Sequence, residues 1–498
     1  MKNFKNIILT FLLVVTGTIS CRKLDEQVFS SVAINNFYKS AQDAEAAITA
    51  AYGPIADMNA QSCVTLASDF SNDQTWPKPV VGRNVYAIFT YDVDYSAQKS
   101  FGRVLEGPQG IWQHCYKGIE NANWVIAKVP AIIMDQTRKN SIIGEALFLR
   151  AYYHFTLAKN FKDVIIRTTP SYEEADVYVA KSPMSDVYKQ VMKDLDASIL
   201  LLTSYASNTI RGRATKEVAI GQYAKTALYA EDWANARDKA LQVINSGKYS
   251  LMTNVLDVYD VEKENAARSE NMFAFEGDNN NPGNTSIMMG LCGPPNSAGR
   301  DYGNSTFGSI FGYMSFYNSF NPIDKRRLLM DTFYINVAGN RVKQSNIVPN
   351  SPNAVLIKKY MDKNSIGGRN RMNTPILRLP DMYLIVAEAE ARLNGATSLA
   401  YQYINTIRTR AGIPDLTAGL SKDDFIKAVL QERSWEFFAE GDRWYDLTRT
   451  NTFLDVIPKA VDAVVFPVRT PLAKHRYFPI PQDEILANPK LVQNPAWN

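Results

Sequence analysis

The sequence predicts a mainly all-α fold of antiparallel helix pairs, with one long loop-rich stretch and few short strands. Three observations lead there. First, Ala214–Leu251 reads as two short helices folded back on each other. Ile220, Ala224 and Leu228 recur at i, i+4 and i+8, with Tyr223 and Ala227 beside them, which is a helical stripe and not a strand alternation. Glu231-Asp232 interrupts, and Asp232 is placed to cap a second helix whose stripe is Trp233, Ala236, Ala240, Val243 and Ile244. Asn245-Ser246-Gly247 ends it, glycine supplying a left-handed turn. So short a connection forces an antiparallel pair. Second, Pro380–Arg410 repeats the pattern out of tandem: Met382, Ile385, Ala389 and Leu393, a break at Asn394-Gly395, then Ala400, Tyr403, Ile404 and Ile407. Aligning Ala236 with Ala400 also aligns Val243 with Ile407 and Tyr229 with Leu393. Third, helical periodicity fades over residues 252–375, which are rich in glycine, proline and asparagine.

The layout of Tyr229, Trp233, Ala236 and Ala240, large residues facing small ones, is that of a tetratricopeptide-type pair. Such a pair cannot bury both faces alone and calls for further pairs. Taken in order, the chain opens with an export signal over residues 1–20. Lys2 and Lys5 precede an apolar run, Ile7–Val15, that is too short to span a bilayer. Small residues then lead into Cys21, an arrangement similar to a bacterial lipoprotein cleavage site, where the cysteine becomes the lipidated first residue. The competing reading is an ordinary secretory signal with a cysteine nearby. Two or three acyl chains would anchor stably where one would not. Residues 21–35 read as a solvated tether, its Asp25-Glu26 resembling a surface-export signal of some Gram-negative lipoproteins. A single domain is expected over 36–498: a helical half at 36–251, the loop-rich insertion at 252–375, and a second helical half with a proline-rich tail at 376–498.

Within that domain Asp43–Met58 is expected to be helical with Ala46, Ile48 and Tyr52 inward, and residues 61–108 mostly loop. Gly110–Val129 and Ser141–Phe161 form a pair. The second of these is buried all round, through Ala146, Leu149, Tyr153 and Leu157 on one face and Phe148, Tyr152 and Phe155 on the others. Ser185–Leu202 is amphipathic, Asn271–Phe275 a strand, and Phe425–Leu447 one long helix.

The chemistry is that of binding. The 54 basic and 50 acidic residues are mixed along the chain, with a net charge of +4 and no basic block to suit nucleic acid. Cys63, Cys115 and Cys292 are too widely spaced for a disulfide framework or a metal site; three inert thiols is the simpler reading, one pair the alternative. Three histidines in 498 residues, no HExxH, no phosphate-cradling glycine loop and no Ser/His/Asp set speak against an enzyme. Glu436 and Glu440 could be drawn as an acid/base couple, but neighbours on one helix face do not flank a glycosidic bond, and the surrounding arginines suit structural ion pairs. No cofactor and no metal are expected. The candidate ligand residues combine a flat ring with polar groups: Trp76 with Asn72 and Asp73 on a loop broken by Pro77 and Pro79, and Tyr302 with Arg300 and Asp301 in a glycine-rich loop. Trp76 either tucks into the core or presents a platform. Of the aromatics between 302 and 317, most are expected to pin the loop and one or two to be exposed. A flat ring beside short polar groups is the chemistry of a ligand platform, each ring contact worth roughly 1 kcal/mol.

The order of segments resembles one family over nearly the whole mature chain. FYKSAQDAEAAITAAY at Phe37–Tyr52, GEALFLRAYYHFTLAKNFKDV at Gly144–Val164, GRATKEVAIGQYAKTALYAEDW at Gly212–Trp233, ILRLPDMYLIVAEAEARL at Ile376–Leu393, INTIRTRAG at Ile404–Gly412, ERSWEFFAEGDRWYDLTR at Glu432–Arg449 and FPIPQDEILANPKLVQNPAW at Phe478–Trp497 are similar to successive motifs of the SusD/RagB outer-membrane nutrient-binding lipoproteins. The resemblance implies an α-helical bundle of four tetratricopeptide-like pairs with a loop-rich ligand face. It also implies a non-catalytic surface lipoprotein of the outer membrane that binds an oligosaccharide or polysaccharide and passes it to a SusC-type TonB-dependent transporter, on which it acts as a lid. Ligand residues vary within the family, so no motif transfers; Trp76 and the 277–320 loop lie in comparable regions. The alternative is a helical-repeat scaffold that binds only proteins, and a glycoside hydrolase is a third reading. An exposed aromatic cluster on the loop face separates the first from the second.

Overall fold

The computed structural model describes residues 37–60, 63–79, 82–93, 107–206, 209–281, 285–346 and 353–498. The export signal, Cys21 and the 21–35 tether lie outside the described residues. Ser40–Asn498 forms one compact unit.

Eight helices make the frame: α1 (Ala41–Ala60), α2 (Pro108–Lys128), α3 (Gln136–Phe161), α4 (Met184–Leu201), α5 (Lys216–Tyr229), α6 (Trp233–Asn245), α7 (Leu379–Asn394) and α8 (Ser398–Ala411). Each packs on the next, α6 on α7 across the insertion, so that four antiparallel pairs stack into one arc. Their starts are set by short polar caps. Ser40 and Asp43 exchange backbone–side-chain hydrogen bonds at α1. Asp135, Thr215, Asp232 and Thr397 accept from the third backbone N–H of α3, α5, α6 and α8. Pro54 sits inside α1 and offers no N–H to the Ala50 carbonyl. That carbonyl accepts instead from Asn121 Nδ2 of α2 at 2.9 Å, so the break in one helix ties it to the next.

The faces follow the apolar periodicity. Ala146, Leu149, Tyr153 and Leu157 of α3 are fully buried, as are Ala236, Val243, Ala400 and Ile407. Leu393, the counterpart of Tyr229 in the repeat, is exposed near the end of α7. In α1 the inward positions are Ala44, Ala47, Ile48 and Ala51; Ala46, expected inside, is exposed, because the stripe starts two residues earlier. Gly118 of α2 is a contact point: a Cβ there would stand 2.2 Å from the Tyr153 ring. Cys63, Cys115 and Cys292 are all buried.

The expected long helix at 425–447 is two. α9 (Lys422–Glu436) and α10 (Arg443–Arg449) are separated by a turn with Ala439 at φ 57° and Gly441 at φ 82°, values that end a helix. Gly441 passes so close to Thr65 that a Cβ would lie 3.1 Å from its Cα.

Strands come as antiparallel two-residue to five-residue pairs. β1 (Thr75–Pro77) pairs with β3 (Ile310–Gly312), and β2 (Asn271–Phe275) with β4 (Thr374–Arg378). Two shorter pairs, Met330–Asp331 with Leu356–Ile357 and Phe333–Ile335 with Arg341–Lys343, order the insertion.

Candidate ligand-binding face

The first candidate group folds inward. Asn72 Oδ1 accepts from the backbone N–H groups of Gln74 and Thr75 at 2.9 and 3.0 Å and so shapes the turn. Asp73 forms a two-pronged ion pair with Arg443 of α10, at 2.7 and 2.8 Å. Burial would raise its carboxyl, and the Arg443 charge and hydrogen bonds outweigh that and hold it below the usual range. Arg469 donates to the carbonyls of Ser71, Asn72 and Ala87. Trp76 is 0% exposed, with its ring centroid 4.8 Å from Phe311 and 6.1 Å from Phe466. A ring with no open face offers no platform to a sugar, so Trp76 takes the core position, and Asn72 and Asp73 hold its loop. The prolines stop a helix there, as expected, but a three-residue strand fits the gap.

The second group divides. Tyr302 is 3% exposed, packed against Gly293 and Gly299, and is likewise a core residue and not a platform. Arg300 and Asp301 face solvent and pair with each other at 3.0 and 2.9 Å. The Arg300 backbone N–H donates to Ile335 O at 2.8 Å, fixing the pair beside the Phe333–Lys343 hairpin. Phe307 is 38% exposed and stands over Gly290, where a Cβ would lie 2.3 Å from the ring. Phe311, Tyr313 and Phe316 are buried, and Tyr317 is half-buried beneath Arg327 at 4.2 Å. The aromatics of 302–317 thus do mostly pin the loop; one ring is left open, short of the exposed cluster that would separate a glycan binder from a protein scaffold.

The two groups meet through the β1–β3 ladder and the Lys78 N–H to Ser309 O bond at 2.9 Å. On the 300–307 loop that precedes β3, Arg300, Asn304 and Phe307 are exposed and Asp301 half-exposed, and the Arg300 N–H bond ties that loop to the hairpin, where Phe333 lies under Arg341 at 3.7 Å and Tyr334 is half-exposed. Sequence reasoning missed this hairpin. Its signal is there: FYI and RVK flank the five residues Asn336-Val337-Ala338-Gly339-Asn340, and Gly339 has φ 82°.

Glu436 and Glu440 are engaged elsewhere. Glu436 accepts from Arg410 at 2.5 Å, Arg378 at 2.9 Å and Arg326 at 3.3 Å. Glu440 accepts from Lys359 at 2.6 Å, Tyr259 at 2.7 Å and Arg378 at 2.8 Å. Burial pushes both carboxyls up, but these cations prevail: Glu436 sits well below the usual range and Glu440 below it. Among the described residues, no cluster of His, Cys, Asp and Glu could hold a metal ion.

The SusD family model matches residues 248–497. The chain belongs to the SusD family. A second model, described as "Starch-binding associating with outer membrane", matches residues 24–228. SusD-like protein P25 of Formosa agariphila is 25% identical over 529 residues, covering 99% of this chain and 98% of the relative. A SusD-like protein of Bacteroides ovatus is 26% identical over 453 residues, 82% of this chain and 76% of the relative. Among solved structures, a SusD homolog from Bacteroides thetaiotaomicron superposes with a TM-score of 0.78 at 20% identity, covering 93% of this chain and 98% of that one. A laminarin-binding SusD-like protein gives 0.76 at 22% identity, covering 92% and 100%. The SusD fold thus accounts for the four tetratricopeptide-like pairs and for an irregular insertion laid on them.

Proposed function

We propose that this chain is a lipid-anchored cell-surface protein that captures an oligosaccharide or polysaccharide and delivers it to a SusC-type TonB-dependent outer-membrane transporter, without catalysis. The observation that carries the reading is a SusD family chain, similar end to end to SusD-like relatives, in which a stiff arc of helices supports a loop face bearing an open aromatic ring beside polar groups. On that face Phe307 supplies a ring, while Arg300, Asp301 and Asn304 supply hydrogen bonds to hydroxyls. Trp76, Asn72, Asp73 and Tyr302 act from beneath by holding the loops. A carboxylate pair suited to glycoside hydrolysis would face a cleft; Glu436 and Glu440 are instead locked to arginine and lysine.

Calorimetric titration of the purified chain against laminarin, pullulan, xylan and alginate tests the ligand. Binding of at least one glycan is expected, weakened several-fold in Arg300→Ala/Phe307→Ala at unchanged melting temperature. Full affinity in that variant sinks the proposed face, and silence across the panel sinks the glycan reading. The partner is tested by co-purification from detergent-solubilised outer membranes. The anchor is tested by Cys21→Ala, which should leave a folded protein that no longer sediments with membranes.

A further inference from the structure

A second surface has the chemistry of a saccharide site and is built from different elements. α2, the irregular segment 164–180 and the C-terminal stretch 484–491 enclose a cleft of about 440 Å³. An adjoining hollow of about 470 Å³ shares Arg167, Ser171 and Tyr178 with it. Together they fall in the range of small-ligand sites. At the base of the cleft the buried Trp112 backs the half-buried Tyr116, ring centroids 4.9 Å apart, and supports it without itself offering an open face. Tyr178 lines both hollows and Tyr172 the outer one. Tyr172 is 65% exposed, its ring edge-on to Trp124 at 5.1 Å, with Lys128 Nζ 5.5 Å from its centroid.

Two features argue that these hollows are a site and not a gap between elements. The wall is fixed although it has little regular structure. Tyr116 Oη accepts from the Ile165 N–H at 2.8 Å and donates to the Ile165 carbonyl at 3.1 Å. Asn123 donates to the Thr169 carbonyl at 3.0 Å, Arg150 to that of Thr168 at 2.9 Å, and Asn488 to that of Val179 at 2.9 Å. A wall tied down by this many bonds gives up little conformational freedom on binding. The charges lining the inner cleft, Glu120, Arg167 and Glu484, are also already engaged. Arg167 donates to the carbonyls of Asp176 and Val177. Glu120 accepts from the backbone and hydroxyl of Ser171 at 2.9 and 3.2 Å, and Glu484 from Gln113 at 3.2 Å. Rings beside internally balanced polar groups suit a neutral polyhydroxyl ligand better than an anion, a cation or a plain apolar chain.

We infer that this cleft is a second saccharide site, taking neutral sugar units of the same glycan that the loop face takes. The inference rests on the glycan-binding reading above. Two sites on one chain raise the apparent affinity for a polymer long enough to reach both, because the second contact becomes intramolecular. Short oligosaccharides would fill the sites independently.

The test uses whichever of laminarin, pullulan or xylan the wild-type chain binds, as the polymer and as a short oligosaccharide cut from it. Calorimetry on wild type is expected to give two short-oligosaccharide sites per chain. Tyr172→Ala/Tyr178→Ala should reduce this to one and weaken polymer binding about tenfold. Ala487→Trp, placed on the exposed rim of the cleft, fills the hollow without removing any wall bond and should do the same. A wild type with one site, or two variants that bind polymer as wild type does, overturns the second site and leaves the loop face standing. A wild type that binds none of the glycans overturns the functional reading itself.

Discussion

The helical arc and the junction beneath the insertion differ in the weight of what holds them. The arc combines apolar crossings with separate buried ion pairs, Arg150–Asp194 and Lys225–Asp381 at 2.6 and 3.1 Å, and the junction is one connected cluster of charges. In the arc, alanines at crossings let helices approach and bury aliphatic and aromatic side chains against each other. In the junction, where β2, β4, α8 and α9 meet, the contacts are charges. Arg378 bridges Glu270, Glu436 and Glu440 at 2.9, 2.9 and 2.8 Å. Arg410 reaches Glu270 and Glu436 at 2.8 and 2.5 Å, and Arg326 reaches Asp324, Glu432 and Glu436 at 2.8, 2.7 and 3.3 Å. All of these side chains are almost wholly removed from solvent. Buried ion pairs add little net stability over apolar packing, yet removing one partner strands the other at high cost. They therefore specify which loop docks where. An arc of similar helix pairs tolerates a shared apolar code; an insertion that must seat in one position uses directional bonds.

The largest expected effect tests that contrast directly. Arg378→Met leaves three buried carboxylates short of a cation and should cost about 3–5 kcal/mol in denaturant unfolding. The pH profile sharpens it. The folded-state carboxyls of Glu436 and Glu440 lie below their ordinary values. The stability they contribute is therefore complete above the unfolded value of about 4.3 and is lost as pH falls through the lower folded values. In Arg378→Met the carboxyls lose part of that depression, so the acid limb should flatten. A variant as stable as wild type, with an unchanged acid limb, would show that the junction is not held by charge.

Trp76→Ala is expected to follow, at about 3–5 kcal/mol for loss of a buried indole. Glycan affinity of the remaining folded protein should be little changed. Weakened binding at full stability would return Trp76 to the ligand face and break the division between supporting and contacting residues. This residue also marks where the sequence stopped being legible. The helix pairs, their caps and the strand at 271–275 are local: period, cap residue and turn residue lie within one stretch. Trp76 is placed by a three-residue strand whose partner, Phe311, lies in the insertion. Its neighbours Asn72 and Asp73 are claimed by their own turn and by Arg443. The break between α9 and α10 was hidden for the same reason. FIKAVLQERSWEFFAEGDRWYDL keeps a helical period throughout, and Gly441 is needed because Thr65 comes close to it. Glu270 and Arg410, 140 residues apart, carry no pattern that pairs them. Of the candidate ligand residues, Arg300 and Asp301 stay at the surface because a loop arginine beside an aspartate is satisfied there, whereas neighbouring Tyr302 gains by burial.

On the arc side of the comparison, Ala236→Leu should cost about 1–3 kcal/mol, because three added carbons must fit a crossing where Ala236 has no exposed surface. Urea midpoints of this variant and of Arg378→Met should respond differently to acid. The overpacked helix should keep the wild-type acid limb, since no titrating group has lost a partner. An unchanged midpoint for Ala236→Leu would mean that the helix crossing at Ala236 yields freely and that close packing is not what holds the arc.

The smallest effect concerns a single cap. Asp232 turns the chain from α5 into α6, with its side chain accepting from the Asn235 backbone at 3.3 Å and from Asn235 Nδ2 at 2.7 Å. Its carboxylate also sits at a helix N-terminus, where negative charge is favoured. Asp232→Ala should therefore cost about 1 kcal/mol, and Asp232→Asn less, because the amide oxygen still caps while the charge is gone. The ordering of the two variants separates cap from charge: equal losses would assign the effect to the dipole, and a silent asparagine would assign it to the hydrogen bond. Either way the loss should be confined to the α5–α6 turn and read out as faster amide exchange in the first turn of α6, with the Arg378 junction unaffected. Amides around Arg378 that exchange faster in Asp232→Ala would show that arc and junction open as one unit, and the distinction between them would then be one of chemistry alone.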